Sequence, residues 1–256
     1  RFSYMPLSVF PNSPVVDSKL LERLSKVSSS AVSDALMRLQ IVDGGCLPGS
    51  IQCMNGSGSM VGTATTVFAP NGTSMALHLS MLTHARNHIL VVATNEYNHN
   101  AYMGDIQGLL AQRNGCLGII LDGYIRDKEG VQSLDMPIFA KGSIPSHTVK
   151  EVNGAINAPI SIGNVIINPG DVIIADCDGV VVIPRFALEK VLVCAEEKEI
   201  ADANRQKRVA AFDFDSVTEI TDYQNIIVKD VASYIEKHKA LLDTILEGGD
   251  DTSELA

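Results

Sequence analysis

The stretch "GDIQGLLAQRNGCLGIILDGYIRD" at residues 104–127 contains the pattern that decides the fold. Apolar residues at helical spacing predict a helix over 104–114, with Gly115 as its C-terminal cap. The apolar run at 116–123 predicts a short buried strand that ends at its Asp-Gly pair. A helix followed directly by a buried strand indicates an α/β protein.

The sequence on both sides continues this alternation of helices and strands. Before residue 104, the pattern predicts two helices over 17–39, the second starting near Ser29 or Ser30, then a strand over 59–70, a helix over 74–87 and a strand over 88–94. After residue 127, short strands between 136 and 184 are separated by Asn-Pro-Gly and Asp-Gly turns, and a long helix covers roughly 186–211.

The C-terminal part of the chain has a different pattern. Residues 212–224 are typical of a turn-rich connector, and an apolar stripe at helical spacing follows, formed by Ile227, Val231, Tyr234, Ile235, His238, Leu241, Leu242 and Ile245. Such a stripe must be covered, either by this domain or a neighbouring subunit, or by a separate partner protein. We therefore predict a domain over 1–211 and a C-terminal helical extension over 212–256, with a disordered end, "GGDDTSELA".

Composition limits the partners and the location of the protein. The formal net charge is −10 at pH 7 and the pI is about 5.0, so nucleic acid is not an expected partner, because its binding requires clustered Lys and Arg. Five cysteines without a CxxC pair indicate neither a disulfide framework nor a thiolate zinc site. No apolar run has the length of a membrane span, and the N-terminus lacks the pattern of a secretory signal. We expect a cytoplasmic protein that binds no membrane.

The predicted helix that starts at Gly104 offers a site for an anion. The backbone amides of Asp105, Ile106 and Gln107 have no partner within a helix and point outward from its first turn. The helix dipole adds positive charge at the same place. We expect a carboxylate to bind there.

Arg126 and Asp127 follow the predicted strand, at the position where open α/β sheets usually bind ligands. Neighbouring residues in an extended segment point to opposite faces, so we do not expect the two to serve only as each other's partner. A bend would let both meet one ligand. The guanidinium then provides a fork for an oxyanion, and the carboxylate is a hard ligand suited to Mg²⁺. A surface ion pair or a turn cap is the structural alternative.

Other polar residues and thiols are interpreted mainly as structural. The histidines at 78, 84 and 88 have no acid at a suitable offset, the aspartates at 171, 176 and 178 lie around predicted tight turns, and Cys116 and Cys177 lie in apolar surroundings that predict buried, inert thiols. Asn98 and His99 belong to a loop before Gly104, and they either reach the distal part of a substrate or are exposed to solvent.

Several motifs carry a resemblance to a known family. They are "VSDAL" at 32–36, "MVGTATTV" at 60–67, "GDIQ" at 104–107, "GCLGIILDGYIRD" at 115–127 and "PGDVIIADCDGVVVIPR" at 169–185. In this order and spacing, over about 30–205, the chain resembles the family that joins the class II 4-hydroxy-4-methyl-2-oxoglutarate and 4-carboxy-4-hydroxy-2-oxoadipate aldolases to the regulator of ribonuclease activity A.

The resemblance implies a fold, an assembly and a metal. The fold is a compact α/β/β/α sandwich-like single domain, to which this chain adds a C-terminal helix. The assembly is a homotrimer or a hexamer with active sites between subunits. The cofactor is Mg²⁺ or Mn²⁺, which binds a small 2-oxo acid.

The resemblance also implies roles for individual residues. Asp127 is the direct protein ligand of the metal, and Arg126 binds the substrate and the developing enolate oxygen. The first amides of the helix, from Asp105 to Gln107, hold the carboxylate of the substrate, and Asp105 positions a water for proton transfer. Counting from "VIPR" places Asp202 at the position of an acid that the adjacent subunit contributes.

Three functions follow from the resemblance. The first is a divalent-metal-dependent lyase that cleaves a 4-hydroxy-2-oxo acid to pyruvate and a second oxo acid, with oxaloacetate decarboxylase side activity. The second is a protein whose main reaction is the decarboxylation of a 2-oxo acid. The third is a non-catalytic, protein-binding regulator. The two reactions share an enolate of pyruvate, which a cation near the keto oxygen stabilises.

Overall fold

A computed structural model of the chain describes residues 7–56 and 58–246. The strands are β1 (Ser8–Val9), β2 (Gln52–Cys53), β3 (Met60–Phe68), β4 (Ile89–Ala93), β5 (Ala101–Met103), β6 (Gly118–Ile125), β7 (Ile138–Ser143), β8 (Ala155–Ile156), β9 (Ile160–Ile162), β10 (Val165–Ile167), β11 (Val172–Asp176) and β12 (Gly179–Ile183). The α-helices are α1 (Ser18–Leu24), α2 (Ser29–Arg38), α3 (Met75–Thr83), α4 (Asp105–Arg113), α5 (Lys128–Gln132), α6 (Leu188–Ala210), α7 (Lys229–Lys237) and α8 (Lys239–Leu246). Short 3₁₀ helices cover Arg185–Ala187, Phe214–Ser216 and Ile220–Asn225.

The chain divides into two compact units between Glu196 and Glu197, within α6. The first unit contains the large sheet, in which β3, β4, β6 and β7 run parallel. Strand β5 pairs with the end of β6, and β11 and β12 extend the sheet from β3 as antiparallel strands. Strands β9 and β10 form a separate antiparallel pair.

The apolar strands are buried on both faces, and this arrangement produces four layers. In β6, Ile119 and Leu121 face a core shared with α3 and α4, whereas Ile120 faces a core shared with β9, β11 and β12. On their other face, β11 and β12 pack against α1, α2 and the start of α6. The order is therefore helix, sheet, sheet, helix, which confirms the predicted α/β/β/α sandwich. Burial on both faces also explains why these strands are continuous apolar runs.

Polar caps define the start of α2, as the serine run predicts. The Ser28 hydroxyl accepts a hydrogen bond from the Ala31 amide at 3.2 Å, and the Asp176 carboxylate accepts from both the amide and the hydroxyl of Ser29 at 2.8 and 2.7 Å. Asp171 has a similar role, since its carboxylate accepts from the Asn168 amide in its own turn and from the Arg185 amide after β12. The structural interpretation of these aspartates is confirmed.

Two sequence predictions are wrong in this unit. The Asp122-Gly123 pair does not end the strand, because β6 continues to Ile125. The Asp122 side chain is buried and lies 2.6 Å from the ammonium of Lys141 on β7, so an ion pair allows a carboxylate inside a strand. Cys177 is not a buried thiol, because it lies exposed in the turn between β11 and β12, whereas Cys116 is buried as predicted.

The second unit is helical. The predicted apolar stripe falls on two helices rather than one, since α7 ends at Lys237 and α8 begins at Lys239. The Lys239 ammonium lies 2.9 Å from both Glu219 and Asp243, which ties α8 to the 3₁₀ helix that precedes α7. The C-terminal helical region is thus confirmed. The predicted boundary at 211/212 lies one residue after the end of α6, and the assignment of 1–211 as a domain stays a prediction.

The end of the chain, "GGDDTSELA", lies outside the described residues. Within the residues that the structure describes, no helix is both long enough and apolar enough to cross a membrane.

Candidate active site at the start of α4

The first turn of α4 presents backbone amides at the end of β5. Gly104 is the N-cap, and its own amide donates to the side-chain oxygen of Gln107 at 3.0 Å. The Ile106 amide donates to the Asp105 carboxylate at 2.7 Å. Among the described residues, the amides of Asp105 and Gln107 have no acceptor. Two of the three predicted amides are therefore available to a ligand.

Arg126 and Asp127 lie just beyond the end of β6, as predicted. The Arg126 amide donates to the Met103 carbonyl at 2.9 Å, which fixes this strand end beside β5. Asp127 has a φ of 53°, in the left-handed region, so the chain bends and α5 begins directly after it. The two side chains meet, with Arg126 Nε 3.3 Å from Asp127 Oδ2. The segment therefore has the bend that a shared ligand requires, and the two side chains form the surface ion pair given as the structural alternative.

Glycines allow the two aspartates to pack against the helix starts. A β-carbon on Gly104 would lie 2.5 Å from Asp127 Oδ2, so the carboxylate occupies the space beside the N-cap of α4. In the same way, the Asp105 carboxylate fills the space beside Gly130 of α5. Each aspartate thus lies against the glycine of the other helix. This arrangement brings both carboxylates and Arg126 to the start of α4.

A cavity of about 260 Å³ opens beside this group. Its lining residues are Ser74, His78, Ala101, Tyr102, Met103, Gly104, Gln107, Arg126, His147, Thr148 and Lys150. Three of the predicted site residues are among them. Asp105, Ile106 and Asp127 are not, and the Ile106 side chain is 75% exposed.

The cavity also includes residues whose participation the sequence does not indicate. His78 comes from α3, and His147 and Lys150 come from the segment after β7. Burial, and secondarily the positive charge of Lys150, lowers the pKa of His78. Asn98 and His99 are exposed and do not line this cavity, and the His99 ring packs against Tyr97 instead.

The carboxylates near Arg126 fit a hard divalent cation. In the part of the chain that the structure describes, no group of three or more His, Cys, Asp or Glu residues could hold a metal. Mg²⁺ often keeps several waters and binds to one or two carboxylates, so the Asp127 carboxylate is a suitable donor for it. A site built from soft or imidazole ligands does not fit these residues.

Asp202 lies on α6, in the second unit. Its carboxylate pairs with Lys198 at 3.1 Å and with Arg205 at 3.6 Å. The predicted role of Asp202 concerns the site of an adjacent subunit, and it stays a prediction.

Comparisons with known proteins identify the family. A family model described as "RraA-like: Aldolase/RraA" matches residues 29–182. The chain belongs to the RraA-like family. This match confirms the resemblance found in the sequence, and it includes the start of α4, Arg126, Asp127 and Lys150.

Relatives within the RraA-like family carry different names. A protein of Halalkalibacterium halodurans named "Putative 4-hydroxy-4-methyl-2-oxoglutarate aldolase" is 33% identical over 184 residues, which cover 72% of this chain and 85% of the relative. Protein DlpA of Legionella pneumophila is 32% identical over 179 residues, which cover 68% of this chain and 29% of that protein.

Solved structures show the same fold. A crystal structure of RraAS2 from Streptomyces coelicolor, described as an unusual member of the RNase ES inhibitor RraA protein family, has 27% identity and a TM-score of 0.68, and the match covers 75% of this chain and 98% of that one. A protein of Pseudomonas syringae pv. tomato has 25% identity and a TM-score of 0.71, with 80% and 93% covered.

Proposed function

We propose that this RraA-like protein is a divalent-metal-dependent lyase. It cleaves a 4-hydroxy-2-oxo acid, of the 4-hydroxy-4-methyl-2-oxoglutarate type, into pyruvate and a second oxo acid. The observation that carries the proposal is that Arg126 lines the same cavity as the first turn of α4, with Asp127 3.3 Å from its guanidinium. The aldolase name of the Halalkalibacterium halodurans relative supports it.

The substrate binds through its 2-oxo acid end. The two free amides at the start of α4 and the positive end of the helix dipole hold the carboxylate. The guanidinium of Arg126 donates to the keto oxygen. Asp127, with water and Asp202 of an adjacent subunit, would hold the Mg²⁺ or Mn²⁺ ion, which supplies Lewis-acid stabilisation of negative charge on the keto oxygen.

Cleavage needs a group that stabilises the negative charge of the enolate and a water that transfers a proton. The water that Asp105 positions takes the proton of the 4-hydroxyl group, which becomes the carbonyl of the second product, while the electron pair of the C3–C4 bond forms the enolate of pyruvate. Arg126 stabilises the negative charge on the enolate oxygen. Asp105 positions the water that protonates C3. Loss of CO₂ from oxaloacetate gives the same enolate, so decarboxylation is the expected side activity.

The proposal is tested by the formation of pyruvate from 4-hydroxy-4-methyl-2-oxoglutarate and from oxaloacetate, followed with lactate dehydrogenase. We expect activity that EDTA removes and Mg²⁺ restores. Arg126→Ala should lower kcat about 10²–10³-fold, since it removes a donor to the developing oxyanion. Arg113→Ala, on the exposed last turn of α4, is the matched control.

Failure of the wild-type protein to form pyruvate from either substrate would contradict the proposal, as would full activity of Arg126→Ala. Activity on oxaloacetate alone would favour the alternative in which the main reaction is the decarboxylation of a 2-oxo acid. The likeness to RraAS2 favours a protein-binding regulator as the other candidate, and this function would remain if both substrates are inert.

We also propose that the protein assembles as a homotrimer or a hexamer, with each site completed by an adjacent subunit. The resemblance to a family whose active sites lie between subunits supports this assembly. A mass measurement in solution tests it, and a monomer would contradict it.

A further inference from the structure

We infer that Lys150, together with the hydroxyl of Ser74, binds the distal carboxylate of the substrate. The protein then selects 2-oxo acids that carry a second carboxylate over those that carry only one. The inference rests on the proposed function for the orientation of the substrate, with the 2-oxo acid end at Arg126 and at the start of α4. Lys150 and Ser74 line the same cavity as Arg126.

Backbone hydrogen bonds fix the segment that carries Lys150. After β7, residues 144–150 lie against β5 and the start of α3. The Ala101 amide donates to the Ser146 carbonyl at 2.7 Å, and the Ser74 amide donates to the Val149 carbonyl at 3.2 Å. These hydrogen bonds therefore hold the backbone next to Lys150 beside the cavity.

Ser74 has a hydroxyl hydrogen available to a ligand. The Thr148 hydroxyl donates to Ser74 Oγ at 2.7 Å, and both residues are buried. A hydroxyl group has one hydrogen to donate and two lone pairs to accept, so Ser74 keeps its own hydrogen when it accepts from Thr148. Because Ser74 lines the cavity, a carboxylate there is a suitable acceptor.

Charge is the second reason to assign a second anionic group to this cavity. Among its described lining residues, Arg126 and Lys150 are permanently cationic at neutral pH and none is acidic. Burial, and secondarily the charge of Lys150, lowers the pKa of His78, so the Lys150 ammonium acts on a second residue of the cavity lining. Lys150 forms no ion pair with any residue that the structure describes. Its charge is therefore available to a second carboxylate.

The test compares two ligands that differ only at the distal group. In 2-oxopentanoate a methyl group replaces the distal carboxylate of 2-oxoglutarate. Calorimetry with Mg²⁺ present should show that the wild-type protein binds 2-oxoglutarate about tenfold more tightly, as expected for a hydrogen bond to a charged group. Lys150→Met should remove this preference, and Lys150→Arg should restore most of it. Lys190→Met, an exposed lysine on α6, is the matched control and should bind like the wild type.

Equal binding of the two ligands by the wild type, no binding of 2-oxoglutarate, or an unchanged preference in Lys150→Met would each overturn the inference. The readout is binding, so it does not depend on turnover. If pyruvate is not formed but Lys150→Met loses the preference, the proposed lyase function is wrong and the assignment of Lys150 to the distal carboxylate is supported. If pyruvate is formed but Lys150→Met keeps the preference, the proposed lyase function is supported and the assignment of Lys150 to the distal carboxylate is wrong.

Discussion

At the scale of single residues, the contact between Gly104 and Asp127 controls the geometry of the site. Gly104→Ala would place a methyl group 2.5 Å from Asp127 Oδ2 and 3.3 Å from the Arg126 side chain. We expect this variant to displace both side chains, to lower kcat at least tenfold and to destabilise the protein by about 1–3 kcal/mol, as overpacking does. Steady-state kinetics and thermal unfolding measure the two effects.

Gly49→Ala is the control for this prediction, since a β-carbon there meets no other atom within 4 Å. The account of the site would be contradicted if Gly104→Ala had the activity and stability of Gly49→Ala.

Prediction from the sequence succeeds for residues whose role follows from local pattern. The free amides at the start of α4 follow from a helix start, which the sequence indicates directly. Arg126 lies just beyond β6 as predicted, although that strand ends later than the sequence indicates. Ser74, His78 and Lys150 are different. Ser74 and His78 come from the start of α3 and Lys150 comes from the segment after β7, and the sequence spacing within either segment does not indicate that they line one cavity.

At the scale of elements, the Asp122–Lys141 pair joins β6 to β7 inside the sheet. The two side chains are 5% and 14% exposed, respectively, and their charged atoms are 2.6 Å apart. Lys141→Met leaves the Asp122 carboxylate buried without its partner, so we expect the free energy of unfolding to fall by about 3 kcal/mol or more. Urea unfolding measures it, with Lys190→Met as the exposed control.

The double variant Asp122→Leu/Lys141→Met distinguishes a charge effect from a packing effect. It should recover most of the lost stability, because no charge stays buried. A double variant less stable than Lys141→Met would show that the pair does not act through its charges.

The same pair explains why the end of β6 is predicted too early. An Asp-Gly pair after an apolar run usually indicates a turn. Here the partner of Asp122 comes from the next strand, and this long-range ion pair overrides the local signal. For α2, by contrast, the N-cap lies in the serine run itself, and the helix begins at Ser29, one of the two starts predicted.

At the scale of the whole molecule, apolar strands alternating with helices predict an α/β protein. The four-layer order is predicted only through the resemblance to the family, and the structure confirms it. The division of the chain is harder to predict, because α6 is one continuous helix and the two units separate within it. The residues matched by the family, 29–182, all belong to the first unit, which contains the whole cavity. The assembly depends on contacts between chains, and it stays a proposal.

The central claim is that Arg126, beside the start of α4, stabilises the enolate of pyruvate. Exchange of the pyruvate methyl protons with D₂O, followed by proton NMR with Mg²⁺ present, reports this step without the full substrate. We predict exchange by the wild-type protein and by Arg113→Met, and a rate about 10²–10³-fold lower for Arg126→Met. Absence of exchange in the wild type, or an equal rate in Arg126→Met, would contradict the claim.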